Sequence, residues 1–154
     1  MKLQVALEDS FIEIGKLASQ GFIGDVVILI DRGLMDGSAY VSKSQWQALM
    51  DDLGVSTVQI RDNRYDAVIH MITAADGAEK FYATITGEAR YESIDEAKEK
   101  DELIRQAYMG HQKWFLIKNQ DCLDFKDKIQ KTKEAVLHVL GKSAGTHFHK
   151  KFLL

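Results

Sequence analysis

The chain opens on a helical pattern of apolar positions. Leu3, Leu7, Phe11, Ile14 and Ala18 recur three or four apart, while Glu8, Asp9 and Glu13 fall on other faces. Gly21 and Gly24 end that helix and open a turn. The run Val26-Val27-Ile28-Leu29-Ile30 then changes the pattern: it is short, β-branched and apolar without alternation. Such a run predicts a strand covered on both faces, as in a parallel sheet between helices. Asp31-Arg32-Gly33 ends it, and Gly33 with Gly37 predicts a flexible loop. Ser42 followed by Gln45 reads as a capping box for a helix whose apolar face is Trp46, Leu49, Met50 and Leu53, stopped by Gly54. The segment from Val55 to Arg64 is polar and fits neither period.

A second strand is predicted from Ala67 to Ile72, with Thr73 to Gly77 as the loop at its C-terminal end. The stretch GAEKFYATITGEARYES predicts a short helix followed by a mobile excursion. Ser93 and Glu96 form another capping box, opening a long, mixed-charge helix to Met109. Trp114 to Ile117 is a third strand, and Asp124 an N-cap for the last helix. Phe125, Ile129, Thr132, Val136 and Leu140 predict the buried stripe of that helix, leaving Lys126, Lys128, Lys131 and Lys133 mostly off it as solubilising residues. Gly141 to Gly145 reads as a linker, after which Phe152-Leu153-Leu154 begins a new apolar run. Three strands alternating with helices predict a three-layer α/β fold.

Length and composition narrow the class. One domain fits 154 residues, and 45% apolar with 28% charged residues is a globular balance. A formal charge of -3 argues against a strongly basic nucleic-acid binder. A lone cysteine, Cys122, makes no internal disulfide. No apolar run approaches the roughly 20 residues that span a membrane, and acids stand near the N-terminus where a signal peptide is apolar. The expected setting is cytoplasmic. The absence of proline argues against proline-rich recognition segments.

Candidate chemistry centres on Asp31. An apolar strand that delivers an acid at its C-terminal end places it in the ligand crevice of an open parallel sheet, and in P-loop enzymes such an acid helps hold Mg²⁺. Many α/β strands also end in Asp with no ligand near them. Arg32 suits a phosphate or another anion, and equally a surface ion pair. Arg61, Arg64, Arg90 and Arg105 are further anion candidates, Arg90 in the least regular segment. The phosphate-binding half is missing: Gly141-Lys142-Ser143 has Val136 where the first glycine of a Walker A belongs, and it follows a helix, so it reads as a helix C-cap. His147 and His149 lack a third ligand, His111 helps a lid or ends the long helix, and His70 reads as a satisfied interior residue. Cys122 has no evident base partner.

The stretches VILIDRGLMDG, YDAVIH and TAADGAEKFY, continued by GEARYESIDEAKEKDELIRQAYMGH, closely resemble the ATPase-like P-loop domain of the TRPL translocation defect protein family, itself related to the nucleoside-kinase-like domain of NadR. The likeness covers nearly the whole chain. It implies a three-layer, P-loop NTPase-like parallel sheet, incomplete at the N-terminus. In that reading Val26 to Ile30 with Asp31 is the Walker B strand, and Gly87 to His111 the lid and the helix behind it. The resemblance implies GTP or ATP with Mg²⁺ in the complete domain, with Asp31 at the metal and Asp31, Arg32, Arg90 and Arg105 at the nucleotide. It also implies phosphoinositide binding through a second, triphosphate-tunnel-like domain and a role in membrane-protein trafficking. Residues 1–140 are then a partial P-loop domain, and residues 141–154 a linker and the first strand of the second domain. Family members carry a strand and a glycine-rich Walker A loop ahead of the first helix, and this sequence carries neither. The expectation is a truncated product or a partial copy with impaired nucleotide binding. The alternative is a non-enzymatic interaction or regulatory module that meets a protein partner or self-associates, with no phosphoinositide binding of its own and no nucleic-acid partner.

Overall fold

The computed structural model describes residues 1–21, 23–82 and 92–143, which divide into two units, Met1–Arg64 and Tyr65 onward. The first helix, α1 (Lys2–Ser19), forms where the three-and-four spacing predicts it. Its apolar stripe is not covered as the spacing suggests. Leu7 and Phe11 are each 51% exposed, and the residue that α1 buries is Glu8, at 5%. The carboxylate tolerates burial because Arg64 meets it at 2.5 Å, with a second branch on Asp9 at 2.9 Å.

The core of this unit is supplied by segments that the sequence marks poorly. Gly33 and Gly37 do not give a flexible loop. Leu34–Tyr40 is a 3₁₀ helix that buries Leu34, Met35 and Ala39. Helix α2 (Lys43–Leu53) follows, with Ser42 and Gln45 closing the reciprocal capping box and Gly54 in the left-handed conformation at its end. The polar stretch after it winds into a π-helical turn, Val58–Asp62, which buries Ile60. That turn has its own cap, since the Ser56 amide donates to Gln59 Oε1 at 2.7 Å.

In the second unit, β1 (Val68–Met71) leads through α3 (Ile94–Tyr108) to β2 (Trp114–Ile117), and the two strands pair in parallel with Val68 opposite Trp114 and Met71 opposite Ile117. A helical crossover is what a parallel pair requires. Helix α3 carries its Ser93–Glu96 capping box, and α4 (Phe125–Val139) starts on the Asp124 carboxylate, which accepts from the Asp127 amide. Helix α4 packs on both strands. It ends at Gly141 (φ +66°), where the Gly141 amide donates to the His138 carbonyl and the Lys142 amide to that of Leu137. These are the two bonds of a Schellman cap, so Gly141-Lys142-Ser143 is the helix terminus that its position in the chain predicts.

Two expectations about the sheet need correction. A three-layer P-loop NTPase-like parallel sheet is not what the chain forms, because the sheet among the described residues has two strands. Val26 to Ile30, expected as the Walker B strand, joins no ladder, and among the described residues no backbone hydrogen bond reaches it. β-Branched composition favours a strand only where a neighbour completes the ladder and covers the side chains. Here all five side chains remain more than a third exposed, Leu29 at 78%. The buried stripe of α4 is also rotated from the predicted one. Lys128, Ala135 and Leu137 are buried, whereas Phe125 is 73% exposed. Arg90, most of the expected lid and the Phe152-Leu153-Leu154 run lie outside the described residues. Among the described residues no helix is long and apolar enough to cross a membrane.

Candidate functional site

Within the first unit, α1 and the Val26–Ile30 run form the walls of a groove of about 410 Å³. Leu7 and Phe11 come from the helix, Ile28 to Ile30 from the opposite wall, and Gln4, Glu8, Asp31 and Arg32 from one end. The walls approach closely at Gly15, where an added Cβ would meet Ile28 Cδ1 at 2.9 Å. A side chain at position 15 would require the tip of Ile28 to shift.

Asp31 and Arg32 are both in this groove and both solvent-exposed. Arg32 holds φ +75°, the left-handed region that non-glycine residues seldom occupy. Its conformation is supported from two sides. Gln4 Nε2 donates to the Arg32 carbonyl at 2.8 Å, and the Arg32 guanidinium donates to Asp36 at 3.3 Å. Partial burial works against the Arg32 charge. The hydrogen bond to Asp36 and the fields of Tyr40, Asp36 and Asp31 outweigh it, so the guanidinium is held above its ordinary range. Arg32 thus pairs with a local acid while its side chain stays largely in solvent. Asp31 stands at the groove end, at the boundary between the apolar wall and the polar turn.

The other sequence candidates in this unit are also committed. Arg61 makes a two-pronged contact with Asp62, at 2.7 and 2.9 Å, and that hydrogen bond raises its pKa against the cost of burial. Arg64 is the cation of buried Glu8. Burial opposes its charge, and the hydrogen bonds and fields of Glu8 and Asp9 raise its pKa overall.

The second unit contains a buried polar network at the C-terminal end of β1. The Asp101 carboxylate accepts from the Thr73 amide at 3.0 Å and lies 3.2 Å from His70 Nε2. Lys128 Nζ donates to the Ile72 carbonyl at 2.5 Å and to Asn119 Oδ1 at 2.6 Å, while Asn119 Nδ2 donates to the Thr73 and Asp76 carbonyls. Burial pushes the Lys128 pKa down, partly opposed by Cys122 and Asp101. His70 is the satisfied interior histidine that its place in an apolar strand predicts. His111 is buried as well. Its Nδ1 accepts from the Lys113 amide, which leaves Nε2 as the donor to the Tyr65 carbonyl. Arg105 pairs with Glu102 one turn earlier on α3. These contacts join loop to strand and helix to strand, and their chemistry is that of a structural clamp. Sequence reasoning missed Lys128 and Asn119 as its centre.

The nucleotide reading is corrected by this geometry. The strand that would aim Asp31 at a metal is absent, Arg32 is turned to Asp36, and no group of three or more His, Cys, Asp or Glu stands together among the described residues to hold a metal. The roles in GTP or ATP binding, trafficking and phosphoinositide recognition that came with the P-loop resemblance are therefore not assigned to this chain. The narrower likeness to the TRPL translocation defect family falls with them, because the sheet it requires does not form. No curated protein and no solved structure matches the chain. The family model described as AAA domain matches residues 4–122, most of the chain, and the protein belongs to that family.

Proposed function

We propose that this chain acts as a non-enzymatic interaction module and that its binding surface is the apolar groove between α1 and Val26–Ile30. One observation carries the reading. Five consecutive apolar residues stand more than a third exposed, with no backbone hydrogen bond among the described residues, beside a helix whose own apolar stripe is half exposed. Contiguous apolar surface of this kind marks an interaction site more often than scattered exposure does. An unladdered β-branched run also offers main-chain donors and acceptors to an incoming segment. The arginines of the same unit are engaged with acids of their own fold, which supports a scaffold role for them.

The test is selection of a random peptide library on the immobilised protein, with the Phe11→Asp variant as counter-selection and far-ultraviolet circular dichroism to check that the variant folds. Apolar peptides that bind the wild type and not the variant are the expected result. A library that yields no peptide dependent on Phe11 would remove this reading.

A further inference from the structure

Resting on that reading, we infer that the groove takes an extended apolar segment of a partner protein with basic flanking residues, which adds as a strand to Val26–Ile30. Amides and carbonyls of Val26–Ile30 have no hydrogen-bond partner among the described residues, and the side chains are of the strand-forming class. A partner chain laid alongside would supply the missing ladder, and its apolar side chains would cover Leu29 and the exposed α1 stripe.

The charge of the first unit favours basic flanks. Residues 1–64 carry six Lys and Arg against nine Asp and Glu, whereas the remainder of the chain is balanced at fourteen of each. The whole negative excess of the protein therefore belongs to the unit that holds the groove. Its cations are largely engaged: Arg64 with Glu8 and Asp9, Arg32 with Asp36, Arg61 with Asp62, Lys16 with Glu13, and Lys2 with Asp52. Asp31 faces solvent at the groove end with no salt bridge among the described residues. An apolar segment with Lys or Arg beside its core meets that field favourably, and an acidic one is repelled.

Fluorescence anisotropy with three labelled synthetic peptides tests this. One has a Val/Ile core flanked by lysines, the second the same core flanked by glutamates, and the third the lysine flanks with every core amide N-methylated, so that neither edge can donate to a ladder. The lysine peptide is expected to bind the wild-type protein roughly tenfold or more tightly than the glutamate peptide, with the gap closing as salt is raised. The N-methylated peptide should not bind, because it cannot complete a ladder. Asp31→Asn should weaken the lysine peptide and leave the glutamate peptide unchanged or improved. Equal affinity for both flanks overturns the basic-partner inference, and binding of the N-methylated peptide overturns strand addition. A homodimer in sedimentation that the lysine peptide fails to dissociate overturns it in favour of a second copy as occupant. The two readings fail separately. Selected peptides that depend on Phe11 but lack basic flanks keep the interaction module and remove only this partner class, while absence of any Phe11-dependent peptide removes both.

Discussion

Lys128 stands off the apolar stripe that the spacing along α4 predicts, yet it is buried, and its ammonium is hydrogen-bonded inside the fold. Its ammonium supplies the donor for the Ile72 carbonyl, which emerges at the end of β1, and ties Asn119 into the same network. Lys128→Met keeps the apolar stem and removes the donor, leaving two acceptors short of a partner. We expect a loss of about 1–3 kcal/mol in urea unfolding. The pH dependence has a defined sign. Burial puts the folded pKa of Lys128 below its ordinary value of 10.5, so between the two values the unfolded chain binds more protons than the folded one. Wild-type stability should therefore rise relative to Lys128→Met as pH climbs through that window toward 10.5. Parallel urea titrations of both proteins across the alkaline range measure it, and a difference that shrinks with pH would contradict the assignment. A second residue-level test is Arg64→Met. It strips the cation from Glu8 in the first unit and leaves the buried carboxylate with the Gln4 amide as a neutral donor, so urea unfolding should show a loss of roughly 3 kcal/mol. Neither role was legible in the sequence. A lysine on a helix reads as solubilising until the distant carbonyl that receives it is known, and Glu8 reads as a polar-face residue until Arg64, far along the chain, closes on it.

At the level of elements, caps, stops and apolar runs were readable, and which apolar run finds a ladder partner was not. The Ser42–Gln45 and Ser93–Glu96 boxes, the Asp124 cap, the Gly54 stop and β2 from Trp114 to Ile117 all stand where the sequence puts them. Each rests on contacts within one turn or on a short run of one residue class. Ser56 with Gln59 carries the same box signature in a stretch that reads as ambiguous, and it announces the π-helical turn. The apolar run at Val26–Ile30 is the reverse case: its local signal is strong, but a strand also needs a ladder partner, which no local signal supplies. Ser93→Ala should cost about 1 kcal/mol by removing the acceptor for the Glu96 amide at the start of α3. Gly77 is a sharper test, because its φ of +80° disfavours any Cβ and an added one would fall 2.4 Å from Gln120 Nε2. We expect Gly77→Ala to lower stability by about 1–2 kcal/mol from the backbone alone. Both are measured by chemical denaturation, and Gly77→Ala at wild-type stability would mean that the turn is not held as described.

For the molecule as a whole, the two units differ in how their backbone is satisfied, and that difference is measurable amide by amide. In the second unit, β1 is anchored to β2 at both ends, by the Val68 amide on the Lys113 carbonyl and the Ile72 amide on the Ile117 carbonyl, with α4 packed across the pair. Opening those bonds requires separating a helix-covered sheet, so their exchange should report the most stable part of that unit. In the first unit, the Val26–Ile30 amides have no acceptor among the described residues and their side chains are partly in water. Native-state hydrogen exchange should therefore give slow exchange at Val68 and Ile72 and near-unprotected rates across Val26–Ile30. Adding the lysine-flanked peptide should slow exchange at alternate amides of Val26–Ile30, because one edge of a strand presents every second amide to its neighbour. Strong protection of Val26–Ile30 in the protein alone would mean that another segment already completes its ladder, and the groove would then have no open edge to offer a partner.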